Sequence, residues 1–175
     1  EPMQKHENAK TYYQFCTAFP VGTAMAQTWN EELLQSFGRA VSHEMKEFHI
    51  DLWLAPGMNI QRNPLCGRNF EYYSEDPLLT GKMGAAMVRG IQSQHIGAAV
   101  KHFACNNKET NRKHSDSRVS ERALREIYLK AFEIIVKEAD PWVIMSAYNM
   151  INGHRASENH DLLEGILRDE WGFDG

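Results

Sequence analysis

The stretch Ala98-Ala99-Val100-Lys101-His102-Phe103-Ala104-Cys105, continued by Asn106-Asn107-Lys108-Glu109-Thr110-Asn111-Arg112, decides how the chain is read. An apolar run of this length, bounded by a polar cluster, has the pattern of a strand. It sets Lys101 and His102 side by side at its end, then opens into a polar loop that stops at an arginine. Neighbouring strand residues point to opposite faces, so both side chains serve one site only where the backbone bends or terminates. Enzymes built from alternating strands and helices place their chemistry there.

Working outward, three more strand-like runs are Phe19 to Ala26, Ile50 to Ala55 and Trp142 to Tyr148, and Trp171-Gly172-Phe173 reads as the turn into another. Helical patterns separate them. Asn30 caps a predicted helix through Phe48, with Leu33, Leu34, Phe37, Ala40, Val41 and Met45 fitting a period of 3.6 residues. A second runs from Pro77 to Gln94 with Leu78, Met83, Ala86, Met87 and Ile91 on one face, and proline suits a first turn. A third runs from a Ser120 cap to Ala139, with Glu121 at the positive end of the helix dipole. A fourth starts near Asp161.

Strands alternating with helices imply parallel pairing through right-handed crossovers, so the expected fold class is α/β. Every long polar loop follows a strand, over 56–76, 106–118 and 149–159, and the loops after helices are short. Long loops confined to the C-terminal ends of strands are how a (β/α)8 barrel builds its active site. An open doubly wound sheet shares that rule, but no strand is followed by a glycine-rich phosphate fingerprint. A whole barrel takes ~250 residues and eight strands, against 175 residues here. The expectation is a partial (β/α)8 TIM-type barrel of about four to five βα units, incomplete at both ends, with residues 1–175 forming part of one barrel domain.

The composition, 42% hydrophobic and 24% charged, is that of an ordinary globular protein. A formal net charge of -4, with basic and acidic residues interleaved, argues against a nucleic-acid partner. No apolar run reaches the ~18 residues of a membrane span, and the start, Glu1 to His6, has no apolar signal region, so no membrane partner is expected. Cys16, Cys66 and Cys105 are odd in number and lack metal-type spacing; read as reduced thiols, they indicate a cytoplasmic setting.

The segment Gly67-Arg68-Asn69-Phe70-Glu71-Tyr72-Tyr73-Ser74-Glu75-Asp76-Pro77 gathers one arginine, three carboxylates and three aromatics in a single loop. Such density suits a polyhydroxylated ligand, because Arg offers a planar fork of donors and carboxylates accept from hydroxyls. For Glu71, Glu75 and Asp76 an internal salt-bridge network that stiffens the loop is the favoured reading, and Arg68 is balanced between the two. Lys101 and His102, taken with Asn106, Asn107, Glu109 and Arg112, favour a site over a solvated strand end and a satisfied core histidine. Lys brings three donors, which Glu109 or another carboxylate neutralises. His114-Ser115-Asp116 reads as surface decoration rather than a proton-transfer pair. Tyr148 occupies the matching position at the end of the next strand, where a phenol can hold a carboxylate ionised or simply pack the rim. No His pair has the H-E-x-x-H form and no G-x-S-x-G elbow is present, so neither a metal nor another cofactor is expected.

Read together, Gly67-Arg68-Asn69-Phe70-Glu71, Ser74-Glu75-Asp76-Pro77, Lys101-His102-Phe103, Glu109-Thr110-Asn111-Arg112, Ser120-Glu121-Arg122-Ala123-Leu124-Arg125-Glu126, Ser146-Ala147-Tyr148-Asn149 with Asn152-Gly153, and Trp171-Gly172-Phe173-Asp174-Gly175 resemble glycoside hydrolase family 3, in its β-glucosidase and β-xylosidase branch. The resemblance implies that Arg68, Lys101, His102 and Arg112 hydrogen-bond the hydroxyls of a terminal sugar and that Tyr148 contacts the nucleophile. In the family the nucleophile is the aspartate of a Ser-Asp-Trp motif, which is expected beyond Gly175. The acid/base glutamate is expected from a later domain and an Asp-Gly-Pro binding segment before Glu1. The chain is thus expected to hold no catalytic carboxylate, and neither Asp169 nor Asp174 takes that part.

The implied activity of the intact enzyme is retaining hydrolysis of terminal non-reducing β-D-glucosyl or xylosyl residues of oligosaccharides and glycosides. The family's β-N-acetylhexosaminidase branch is an alternative; it uses Asp-x-His where this chain has His114-Ser115-Asp116. A noncatalytic sugar-binding remnant or scaffold is another. A partial barrel exposes strand edges, so the expected partners besides substrate are the remaining segments of the same enzyme, or further copies in a homo-oligomer.

Overall fold

A computed structural model describes residues 13–175. The start, Glu1 to His6, on which the expectation about a signal region fell, lies outside the described residues. Among those residues no helix is long and apolar enough to cross a membrane.

The helices form where caps and periodicity place them. Helix α1 (Gly22–Ala26) is followed by α2 (Glu31–Glu47), whose cap Asn30 accepts a hydrogen bond from Leu33 N at 2.9 Å. Its buried face is Leu34, Gly38, Val41, Ser42 and Met45, with Leu33 half exposed. The stripe is therefore rotated from the expected one, because two small residues rather than Leu33 and Ala40 meet the neighbouring helix. After β1 (Leu52–Trp53) comes α3 (Pro77–Gln92), which has Pro77 in its first turn and Asp76 accepting from Leu79 N at 2.7 Å. Asp76 is thus a helix cap rather than a member of a salt-bridge network.

Strand β2 (Gly97–Phe103) and a short β3 (Asp116–Ser117) precede a helical stretch capped by Ser120. That stretch comprises α4 (Glu121–Ala123), a π turn over Leu124–Tyr128 and α5 (Lys130–Ala139). The π turn is closed by Leu129 N donating to Leu124 O at 2.8 Å, and it turns both leucines inward. β4 (Val143–Ser146), β5 (Met150–Ile151), β6 (His154–Arg155) and a wide-turn helix over Asp161–Glu170 complete the chain.

The main sheet is parallel in the order β1-β2-β4, with Leu52 opposite Gly97 and Ala99 opposite Val143. Helix α3 lies between α2 and α5 and packs on β2. This is the strand-and-helix alternation of a barrel wall, with three parallel strands. The run Phe19 to Ala26 departs from expectation, since it enters no sheet and its second half is helix α1. Short apolar runs do not distinguish strand from helix by pattern, and two tertiary contacts decide this one. Phe19 packs edge-on against Phe37 of α2 at 4.8 Å, and the Thr23 hydroxyl donates to Tyr72 O at 2.7 Å. Trp171-Gly172-Phe173 turns back, with Phe173 buried and Gly172 at φ 79, and enters no strand among the described residues.

The loops after β2 and β4, expected as polar connections, carry a second small sheet in the order β3-β5-β6. Asn152 and Gly153, at φ 51 and 92, make the two-residue turn between β5 and β6. Positive φ at both positions is what a tight hairpin needs and what Asn-Gly supplies. The Asn152 side chain then spans Val119, accepting from its N–H at 3.0 Å and donating to its carbonyl at 2.9 Å.

Helices α2 and α3 touch backbone to backbone. A side chain at Gly90 would meet the Gln35 carbonyl, and one at Gly38 would lie 2.7 Å from Met87 O. Gly90→Ala is therefore expected to force the helices apart and to destabilise the fold by about 1–3 kcal/mol in denaturant titration. Gly165→Ala, whose new methyl meets nothing within 4 Å, is expected to be stabilising by about 0.4–1 kcal/mol.

Candidate active site

The end of β2 is held on both edges. Lys101 N donates to Pro56 O at 3.0 Å, Met58 N donates back to Lys101 O at 2.6 Å, and Ala147 N donates to Phe103 O at 2.7 Å. The register with β4 slips between Lys101 and Phe103, and the Lys101–His102 peptide is cis. A bulge of this kind re-aims side chains. The backbone thus bends where the two cationic residue types meet, as their adjacency required.

Each side chain then finds a defined partner. Lys101 Nζ lies 3.1 Å from Glu71 Oε2, and Glu71 also pairs closely with Arg68. Arg68 reaches toward Glu109 at 3.9 Å, and Arg112 donates to Glu109 Oε2 at 2.9 Å. The Arg112 guanidinium sits over the ring of the exposed Tyr148, 5.1 Å from its centroid. His102 is buried. Its backbone is bracketed by Asn59, which accepts from His102 N and donates to His102 O, both at 2.9 Å. Its Nδ1 lies 3.2 Å from Tyr72 Oη, which in turn accepts from Asn106 Nδ2 at 2.9 Å. Asn106 also donates to Glu109 Oε1 at 2.9 Å.

Arg68, Lys101, His102, Arg112 and Tyr148 accordingly belong to one connected network, with Glu71 and Glu109 as its two hubs. The salt-bridge reading of Glu71 is what forms; Glu75 is exposed and joins no ion pair among the described residues. Asn106, grouped with Lys101 and His102 from the sequence, joins this network, whereas Asn59 and Tyr72 are not singled out by the sequence. Asn59 sits in an apolar run, Met58-Asn59-Ile60, where a buried amide is the one available signal. His114 is exposed, while Asp116 pairs with Arg118 at 2.7 Å and accepts from Gly153 N at 3.0 Å, so no His114–Asp116 couple forms.

The electrostatics follow from this wiring. Burial pushes the Glu71 carboxyl up, but the Lys101 ammonium and the Arg68 guanidinium outweigh it and hold the group below its ordinary range. Burial, reinforced by Arg68 and Lys101, pushes His102 down to about 3, so its imidazole is neutral in working conditions. Burial raises the Tyr72 phenol, which keeps its proton. Three cations face two carboxylates, leaving a donor-rich wall with one unmatched positive charge. Beside it, the Glu71–Lys101 pair opens onto a cleft of about 300 Å³ with Phe19, Phe37 and Trp53 among its walls.

Residues 6–175 match the glycosyl hydrolase family 3 N-terminal domain. The chain belongs to glycosyl hydrolase family 3. This family 3 chain is 65% identical over 159 residues to beta-glucosidase A of Butyrivibrio fibrisolvens, covering 91% of the chain and 19% of that relative. It is 52% identical to an exo-alpha-(1->6)-L-arabinopyranosidase of Bifidobacterium longum, covering 91% of the chain and 21% of that relative. Among solved structures, beta-glucosidase 3B from Thermotoga neapolitana in complex with alpha-D-glucose superposes with a TM-score of 0.92 at 57% identity, over 98% of this chain and 24% of that one. The chain therefore spans about a fifth to a quarter of the length of these relatives, and its fold is a section of the family's barrel domain.

The low His102 value has a stability consequence. Above the ordinary imidazole value of 6.5 neither folded nor unfolded chain is protonated there; below it the unfolded chain takes up a proton that the folded chain refuses until about pH 3. Stability is expected to fall with pH across that window, by up to about 1.4 kcal/mol per unit from this group. In urea titrations at pH 7, 5.5 and 4, His102→Gln should lose stability less steeply than the unaltered protein, and parallel losses would contradict the assignment.

Proposed function

We propose that the intact protein is a β-glycosidase acting on terminal β-glucosyl residues, and that this chain supplies the wall that holds the sugar. The observation that carries the reading is the network itself: Arg68, Lys101 and Arg112 are held in place by Glu71 and Glu109, and together with neutral His102 they present donors at the C-terminal end of the sheet. Hydroxyl oxygens accept from such groups. The unmatched positive charge suits a neighbouring carboxylate, and Tyr148 under Arg112 stands where a phenol can donate to one.

The chemistry proposed is retaining hydrolysis. A carboxylate attacks the anomeric carbon, a second carboxyl group protonates the departing oxygen, and water then releases the covalent sugar. Following the resemblance, the nucleophile is placed in a Ser-Asp-Trp segment after Gly175 and the acid/base glutamate in a further domain. The wall contributes by orienting the sugar and by hydrogen bonds that strengthen as the transition state forms. The names of the relatives support a glucosyl substrate first. The arabinopyranosidase among them supports arabinopyranosyl as the second reading, and xylosyl follows from the resemblance. The separated His114 and Asp116 weigh against the N-acetylhexosaminidase alternative.

Full-length protein assayed on 4-nitrophenyl glycosides should give its highest kcat/KM on the β-D-glucoside, ahead of the β-D-xyloside, the α-L-arabinopyranoside and the β-N-acetylglucosaminide. A preference for the last would overturn the branch assignment. Lys101→Met and Arg68→Met should each lower kcat/KM about 10–100-fold, the value of a hydrogen bond to a charged group. The 175-residue chain on its own should give no more than trace hydrolysis of an aryl β-glucoside, and robust turnover would show that the reacting pair lies within it.

A further inference from the structure

The placement of one proton determines what His102 offers a ligand. Tyr72 Oη accepts from Asn106 Nδ2 at 2.9 Å, and among the described residues its own proton faces one acceptor, His102 Nδ1 at 3.2 Å. Asn106 is fixed in this sense, because its amide also donates to Glu109 Oε1 at 2.9 Å and a reversed amide would set oxygen against that carboxylate. The competing acceptor for a proton on Nδ1 is Asn59 Oδ1 at 3.3 Å. That oxygen already accepts the His102 backbone N–H at 2.9 Å, and Asn59 Nδ2 is spent on His102 O. Placing the proton on Nδ1 would also leave the buried Tyr72 hydroxyl with nothing to donate to, which is costly for a group out of water.

We propose that Tyr72 and Asn106 are positioning residues that hold His102 as the neutral tautomer protonated on Nε2, so that it meets the sugar as a donor only. This rests on the reading of the wall as sugar-holding. It deepens that reading, because Lys101, Arg68 and Arg112 also donate, and Glu71 and Glu109 are engaged by them. Ligand oxygens accept from this wall, and their hydroxyl protons go to acceptors beyond it. The order Glu109, Asn106, Tyr72, His102 thereby converts a carboxylate at the rim into a fixed direction for an imidazole proton.

Two measurements on full-length protein decide the matter. The first labels histidine with nitrogen-15 and reads both His102 ring nitrogens by NMR, assigned by their disappearance in His102→Gln. The expected spectrum shows Nδ1 bare and Nε2 protonated, with Tyr72→Phe shifting population toward a protonated Nδ1. A proton on Nδ1 in the unaltered protein overturns the proposal. The second compares binding of glucose with that of its monodeoxyfluoro analogues, since fluorine accepts weakly but cannot donate. At the ring position facing His102 the unaltered protein should bind the fluoro analogue less well than glucose only by the weaker acceptance of fluorine and the loss of the hydroxyl proton's bond beyond the wall. In Tyr72→Phe, where Nε2 becomes an acceptor, the fluoro analogue should fall behind glucose by a further ~tenfold. Equal discrimination in the two proteins would overturn the proposal. Failure of the unaltered protein to bind glucose at all would defeat the sugar-wall reading, while the NMR result would still decide the tautomer.

Discussion

Strand β2 is hydrogen-bonded along both edges, to β1 from Gly97 and to β4 from Ala99 to Phe103. Its backbone therefore has no freedom to relax at Lys101 and His102. Ala98, Ala99, Val100 and Phe103 are fully buried around it, so rotating the strand to expose the lysine would unpack the core. The site is made at the one place where the ladder slips. A bulge of one extra residue, His102, turns a rule that separates neighbouring side chains into a geometry that lets one reach an ion pair and the other a buried phenol. The loop over 56–59 completes this by running beside β2, with Asn59 mimicking a further strand across His102.

The cost of gathering cations at that point is met locally. Arg68, Lys101 and Arg112 would repel one another if left unpaired, and Glu71 and Glu109 each bridge between two of them. The carboxylates are therefore structural to the wall, each engaged by two of its cations. His102 escapes the same repulsion by giving up its charge. Burial is the larger cause of neutrality at His102 and the positive field of Arg68 and Lys101 adds to it, whereas at Glu71 the same field outweighs burial and keeps the group ionised.

Much of this was legible in the sequence, and the exceptions have physical causes. Helix caps at Asn30 and Ser120 are local chemistry and were readable from single residues. The alternation of strands and helices gave the fold class because the parallel strand β2 is apolar throughout its first half. Phe19 to Ala26 misled because its conformation is set by Phe37 and by the carbonyls of 69–72, contacts that pattern alone does not contain. Arg68, Lys101, His102, Arg112 and Tyr148 stood out by residue type and loop position. Asn59 and Tyr72 did not, because a buried amide or phenol becomes meaningful only when its partner is known. The Asn152-Gly153 pair was visible as a motif, yet its use as a hairpin turn depended on β3 lying beside β5.

That small sheet ties Asp116 and Ser117, from the loop after β2, to Met150 and Ile151, from the loop after β4. Arg112 and Tyr148, stacked upon each other, ride on those two loops. Neither loop is an independent module. A lineage that lengthens or reshapes one must keep pace in the other, and a graft that carries one across without its counterpart would transplant half of a joint. The two segments, about thirty residues apart in the chain, are inherited as a single part.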